Sequence, residues 1–445
     1  MVTEANRRSS SVRPARPFHR LRRLAWIAVT AVLTCAPVTA EKPDFRVFGS
    51  LGNETHLTPG NPSSRLNPGD FLRVPAVSNS LDFNLFADLV PEDKAWKLHL
   101  KLRGANDWNR DDTVSKIEVG ELNFGVSLTS WLDVQAGRSI EKWGTGYAWN
   151  PTGVVNPRKN PSDPNDRRGL YRGVDNVKVD LFIRDWNVTL LAAPEIDWKG
   201  QQQVTNLSAR LGASDSPAAA RKHLLATGWA VRAYRLIQGV DFSLSASGGN
   251  GLPNSQGVSV SRVVGKALEL HAEAAAFQDS VRFRPVDGGW KAETRRHVDL
   301  LFGGQYTFPR SVNLVLEYYH SGNGLDDREW RNYQDMVIAA GQDLAQGNPT
   351  PLLLDNLYYS VLTMARDYGF ARLYWLFHHD TLEAEVLALA NLRDGSSLLR
   401  PGLYWRIHPN WSLYWLQGEL LGGVDTEFGH LQVSRVSDFG VRFHF

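Results

Sequence analysis

The sequence predicts an all-β fold: a single transmembrane, antiparallel, up-and-down β-barrel of about 18 strands, with 16 as the alternative, and long external loops carrying some helix. Three observations predict it. Segments of strict two-residue alternation recur along the chain. Very short and long connections between them take turns. The chain closes on Phe439, Val441, Phe443 and Phe445, alternating with Gly440, Arg442 and His444.

The bulk composition narrows the class. No apolar run reaches the roughly 18 residues of a spanning helix, and the mean hydropathy is −0.31. The one strongly apolar run is 24–38. Arg20, Arg22 and Arg23 precede it, and Val38-Thr39-Ala40 ends it as a small-residue cleavage site. Residues 1–40 therefore read as a cleaved signal peptide, and 41–445 as the barrel. Cys35 lies in that leader, so the expected mature chain has no cysteine and no disulfide. The leader also holds seven arginines and one acid, which leaves 42 basic against 46 acidic residues. Such a balance gives no basic footprint for nucleic acid.

Alternation assigns faces to the strands. In 96–103, Trp96, Leu98, Leu100 and Leu102 oppose Lys97, His99, Lys101 and Arg103. Around 180, Val177, Val179, Leu181 and Ile183 oppose Lys178, Asp180 and Arg184. Leu268, Leu270, Ala272, Ala274 and Ala276 oppose Glu269, His271 and Glu273, and Leu382, Ala384, Val386 and Ala388 oppose Glu383 and Glu385. Adjacent residues on a strand point to opposite sides. The polar sets, with Arg372, Arg406 and Arg442, are thus the expected lumen wall. They carry both signs, which suits a salt-bridged lumen or a water-filled pore with opposed charges. About 18 strands make a barrel too wide for side chains alone to fill. Trp131, Trp186, Trp229, Trp405, Trp411 and Trp415 cluster at segment ends, where interfacial girdles lie.

The connections fix the count. From a first strand near 45–54, tight turns fall near 91–93, 129–130, 184–185, 238–239, 264–265 and 309–310. Long connections at 55–80, 106–115, 142–174, 195–222, 248–256 and 278–295 lie between them. Short turns recur at 378–380 and 408–410, with longer links at 392–396 and 421–432. Parity holds if 322–369 is one external excursion with a helix near 326–344. Both termini are then periplasmic, and the strand number is even.

The segment GRSIEKWGTGYAWNPTGVVNP at 137–157 becomes the top of the fifth strand and the start of the third external loop. Candidate constriction or solute-contact residues are Arg138, Trp143, Tyr147 and Trp149, then Arg158, Arg167, Arg168 and Arg172, with Asp163 and Asp166. Aromatic platforms beside arginine suit sugar rings or aromatic solutes. The other reading is that the three aromatics anchor the barrel rim.

Gly137-Arg138, Trp143-Gly144 and Asn150-Pro151 to Asn156-Pro157, with the terminal phenylalanine strand, resemble porin-like outer-membrane proteins of Gram-negative bacteria. The layout is also loosely similar to the 18-stranded alginate-export and capsule-assembly barrels. In general porins the third loop folds inward as an eyelet, so the resemblance implies the same here. It also implies outer-membrane lipid as surroundings and the barrel-assembly machinery as a partner through the Phe445 strand. Alginate export would imply a strongly basic pore, from which the mixed inner charges depart.

Catalytic patterns are weak. His378-His379-Asp380 falls in an expected turn, and His320-Ser321, near Glu317, sits where a strand leaves the barrel. No HExxH, GxSxG or phosphate loop is present. Asp163 to Asp166 offers oxygens without the spacing of a calcium loop. The expectation is a channel for passage or export of small hydrophilic or carbohydrate-like solutes, with no enzyme activity, metal or cofactor. Competing expectations are a non-channel barrel that binds or assembles surface polysaccharide, and a lipid hydrolase.

Overall fold

The computed structural model describes residues 44–155, 173–193, 228–249, 252–359 and 364–445. The expected signal peptide at 1–40 and the 195–222 loop lie outside the described residues.

Eighteen strands are present among the described residues. They are β1 (Asp44–Leu57), β2 (Val77–Val90), β3 (Trp96–Asn109), β4 (Thr113–Thr129), β5 (Leu132–Ser139) and β6 (Val174–Ile183). Next come β7 (Trp186–Ala193), β8 (Gly228–Ile237), β9 (Val240–Gly249), β10 (Ser255–Val264), β11 (Leu268–Val286) and β12 (Gly289–Phe308). The last are β13 (Val312–Ser321), β14 (Asp367–Phe377), β15 (Leu382–Asn391), β16 (Ser397–His408), β17 (Trp411–Leu421) and β18 (Arg435–His444). Each pairs antiparallel with its sequence neighbours, and β18 returns to β1 with Ser50 opposite His444. The sheet therefore has no edge, which is what a strand needs in lipid. Phe445 completes the seam through backbone hydrogen bonds to and from Gly49.

The faces are inverted relative to a soluble protein. Leu51, Leu98, Val177, Leu244, Leu270, Phe302, Leu316, Leu373 and Leu413 stand exposed on the outside. Lys101, Glu273, Glu317, Arg372, Glu385 and Arg442 are buried on the inside. An apolar belt around a polar interior is the arrangement that lipid on one side and water on the other select. Trp131, Trp229, Trp405, Trp411 and Trp415 are exposed on the belt, and Trp186 is half-buried.

The tight turns fall as read from the sequence, but two expected loops shrink. β3 and β4 run on to leave only 110–112 between them. β11 and β12 extend past a bulge at 277–280 and meet at Asp287-Gly288, with Gly288 at φ 74. The expected loop 278–295 is therefore a long hairpin. An Asp-Gly pair between alternating strands is a strong hairpin signal, and its loop residues pair outside the belt.

The 322–369 excursion holds two helices, α1 (Asp327–Ala345) and α2 (Thr350–Tyr358). Asp326 caps α1: its carboxylate accepts from the Arg328 and Glu329 amides, and Glu329 reaches back to the Asp326 amide. The helices bury Tyr333, Val337, Ala340 and Leu352 with Leu66, Leu325, Tyr359 and Met364, a core outside the sheet.

Candidate functional site: an inward loop latched to the barrel wall

The chain leaves β5 at Ser139 and does not stay at the rim. Ser139 Oγ donates to Glu141 Oε1 at 2.8 Å, and Lys178 Nζ meets the same carboxylate at 3.1 Å. The segment 143–155 then packs against the inner wall from β6 round to β14. Trp143, Val154 and Val155 pack with Val174, Leu191, Ala230, Leu252, Ala275 and Phe277. Further along, Trp149 stacks on Tyr319 at 5.0 Å and lies 5.8 Å from Tyr368. Tyr147 stacks on Phe370 at 5.4 Å, and Arg372 lies over its ring at 5.0 Å.

Two wall carboxylates hold the backbone of this loop. Glu273 Oε1 accepts from the Thr145 and Gly146 amides, at 2.5 and 2.8 Å, and from Thr145 Oγ1 at 3.3 Å. Its Oε2 accepts from the Thr152 amide at 3.1 Å and from Thr152 Oγ1 at 2.7 Å. Glu317 accepts from the Tyr147 and Ala148 amides. His271 bridges Glu317 and Glu269, with Nε2 3.0 Å from Glu317 and Nδ1 3.0 Å from Glu269. Successive amides aimed at one carboxylate form an anion-binding nest, here filled by the protein itself.

The glycines explain how the backbone comes so close. Gly144 has φ 87, and a Cβ there would lie 2.8 Å from both Glu273 oxygens. A Cβ on Gly146 would meet the Trp149 carbonyl at 2.0 Å. Any side chain at either position pushes the loop off its latch.

The sequence-derived candidates separate into groups. Trp143 and Trp149 turn inward, yet they are only 3% and 6% exposed. They are the loop's packing, whereas Tyr147 is half-buried. Arg138 is corrected: the register pairs Leu122, Arg138 and Asp175, whose parity is that of outward Val177. Its guanidinium holds Asp175 through two bonds, at 2.7 and 2.9 Å, on the outer face. Arg158, Asp163, Asp166, Arg167, Arg168 and Arg172 lie outside the described residues.

On the expected wall, Lys97 and His99 share Asp88 at 3.3 and 2.7 Å. Lys101 lies over the Phe86 ring, and Arg103 donates to Asn84. Arg442 is buried and grips Asp82 at 2.7 and 2.8 Å. Arg372 pairs with Glu385. Glu383 stands one inward position from Glu385 toward the tight-turn end, and Asp180 accepts from Thr189. Glu269 and Glu273 are wall residues whose carboxylates are used by His271 and the loop. Arg184 is corrected: β6 ends at Ile183, and Arg184 sits exposed at φ 54 in the tight turn, where strand alternation no longer aims it.

Other clusters resolve into ordinary ion pairs. Glu54, His56 and Asp438 bring ligand atoms within 4.8 Å of one another on the inner wall. His56 already bonds Asp438 at 2.9 Å, and Arg400 lies 3.6 Å from it, so the carboxylates have cations. His378, His379 and Asp380 all have positive φ in a turn. His320 and Ser321 point to opposite faces and form no pair.

The sequence reading missed the floor on which the loop sits. Its signal was present: Tyr319, Tyr368, Phe370, Leu387 and Leu389 put apolar side chains on the inner parity. A water-facing wall has no use for them, so something must cover them.

With this geometry in place, comparison with known proteins is informative for the fold. No family model matches the chain, and no curated protein matches it. Among solved structures, Pseudomonas aeruginosa OccK11 (OpdR) superposes with TM-score 0.52 at 10% identity, over 91% of this chain and 98% of that one. P. aeruginosa OccK5 (OpdH) gives 0.51 at 11%, over 90% and 98%. At that identity the likeness is one of fold, a closed antiparallel β-barrel. A triple mutant of Rhodopseudomonas blastica porin aligns over 90% of this chain with TM-score 0.42 and 13% identity.

Proposed function

We propose that the protein is a bacterial outer-membrane channel for small hydrophilic solutes, carbohydrates among them. The observation that carries the reading is the inward loop. Glu273 and Glu317 hold 145–152 against β11 and β13, with Trp143 and Trp149 sunk into the wall on either side. A loop fixed in this way narrows one half of the lumen and leaves the other as the path. That other half carries alternating charge: Asp82 with Arg442, Asp88 with His99 and Lys97, and Asp438 with His56 and Arg400. Paired signs lower the barrier for polar solutes without favouring one ion strongly. Phe48 and Phe86, stacked at 5.0 Å on that wall, and Tyr147, with Arg372 over its ring, are the aromatic surfaces turned to the lumen.

Single-channel recording of the purified protein in planar bilayers tests this. A steady open conductance is expected. No conductance, either in the wild type or after deletion of residues 330–365, sinks the channel reading. Liposome swelling with neutral sugars against charged solutes then tests the solute class, with Tyr147→Ala expected to alter sugar block. Cell fractionation, with and without Phe445, tests the location and the role of the terminal strand.

A plugged barrel that holds surface polysaccharide is the second reading. It is favoured by the external core in which α1 and α2 pack with 58–76 and 422–434, through Leu66, Tyr359 and Leu431. The same recording separates the two.

A further inference from the structure

The inner face of β8–β10, just below the latched loop, carries a wall of hydroxyls around one arginine. Ala230 of β8 packs in the cluster of Trp143 and Val154. Arg232 and Tyr234 occupy the next two inward positions toward the tight turn. Across the sheet Arg232 stands opposite Ser245, and Tyr234 opposite Ser243. Ser243 in turn stands opposite Ser259, which pairs with the latch residue Glu273. Gly257 lets the loop meet the top of this wall: a Cβ there would lie 2.8 Å from the Thr152 methyl and 2.7 Å from Ser245 Oγ.

Arg232 is held in place yet unspent. Its Nε donates to Ser243 Oγ at 3.0 Å, and its guanidinium lies over the Tyr234 ring at 5.3 Å. Among the described residues neither Nη has an acceptor, and no carboxylate forms an ion pair with it. By contrast, Arg372 meets Glu385, Arg400 meets Asp438 and Arg442 meets Asp82. The acids within electrostatic reach of Arg232 are engaged elsewhere. Asp180 accepts from the Thr189 hydroxyl, Asp241 from the Tyr234 hydroxyl, and Glu141 is held by Lys178 and Ser139. The Ser245 and Ser259 hydroxyls also have no partner among the described residues.

A guanidinium with an open fork matches a planar oxyanion, held by two parallel N–H···O bonds. Free serine hydroxyls both donate and accept, which suits the hydroxyls of a sugar. Arg232 and Ser259 are two strand spacings apart, about 10 Å, within the combined reach of the arginine side chain and a six-carbon solute. Asp180 and Asp241 set an upper limit on charge, because a second anion on the solute would face them on the same wall.

We propose that Arg232, with Ser245 and Ser259, forms a subsite below the constriction for a monoanionic sugar acid, its carboxylate on the guanidinium and its hydroxyls on the serines. The subsite rests on the channel reading, in that solute must reach the lumen, and it names a solute class for it.

The test is titration of the purified full-length barrel in detergent with gluconate, glucose and glucarate, followed by saturation-transfer NMR. Wild type is expected to bind gluconate, with glucose and glucarate at least about 10-fold weaker. Arg232→Gln should weaken gluconate by roughly 10- to 100-fold. Arg232→Lys keeps the charge and loses the fork, so it should also bind more weakly than wild type. Ser245→Ala with Ser259→Ala should weaken gluconate while leaving Arg232 in place. Arg262→Gln, on the outer face of β10, should bind as wild type. Circular dichroism checks that each variant is folded. No gluconate binding to wild type overturns the proposal. So does unchanged affinity in Arg232→Gln, or equal affinity for gluconate and glucose, because the fork then plays no part. Conductance of the same preparation judges the channel separately. Gluconate binding without conductance sinks the channel reading alone, and conductance without gluconate binding sinks the subsite alone.

Discussion

Replacing Glu273 with glutamine tests the latch directly. The carboxylate accepts five hydrogen bonds from the loop, three on Oε1 and two on Oε2. Glutamine keeps one oxygen and turns the other into an NH₂ that faces donors. At least two bonds are lost, and buried amides are left opposite a donor. A bond to a charged acceptor contributes about 1.5–3 kcal/mol. Bonds sharing one carboxylate are not additive, so the combined loss is about 3 kcal/mol. This raises the detached population of the loop by roughly 100-fold. The barrel itself keeps its strand pairing, so folding measured by circular dichroism should hold. Single-channel recordings of Glu273→Gln should show larger mean conductance and frequent transitions between levels. Glu317→Gln should act in the same direction, and the double variant should fall short of the sum. A folded Glu273→Gln protein with wild-type conductance and noise would refute the claim that this loop shapes the pore.

Three further outcomes are expected. Trp149→Ala removes the stack on Tyr319 and should weaken local order by about 3–5 kcal/mol, read as lost hydrogen-exchange protection at 140–155 with little change in barrel melting. Burial pushes the Asp355 carboxyl in α2 up to about 7 from its usual 3.8, so the folded cap holds a proton that the open form has released. The stability from that proton is full below about pH 4 and lost as pH rises through about 7, a difference of about 4 kcal/mol; Asp355→Asn should remove this slope from exchange at 350–358. Glu329→Ala leaves the buried Arg284 without its carboxylate at 2.8 Å and removes half of the α1 capping box; protection at 327–345 should fall by about 3–5 kcal/mol.

Much of the architecture was legible because the β-barrel code is local. Alternation in 96–103 puts Lys97, His99, Lys101 and Arg103 on one face from sequence alone, and in the structure that face packs on β2, with Lys101 over Phe86. The even-strand rule also identified 322–369 as an excursion, which holds α1 with its Asp326 cap. Errors came where local signals end. Arg184 was aimed by extending a strand one residue into a turn, and Arg138, placed at the top of β5, was grouped with the loop although its register faces it outward. The hairpin beyond 277–280 was read as a loop because its strands leave the belt and no longer alternate simply.

The loop aromatics show the deeper limit. The sequence by itself determined that Trp143, Tyr147 and Trp149 sit in a glycine-rich third loop above a barrel, because periodicity and turn spacing are carried by neighbours along the chain. Only the tertiary structure decided that the loop descends to Glu273 and Glu317, more than a hundred residues away, and that two of its three aromatics are consumed as packing. The physical reason is that a latch is a relation between distant backbone amides and a carboxylate on another strand. Nothing in the local pattern of either partner records which donors a buried carboxylate will find.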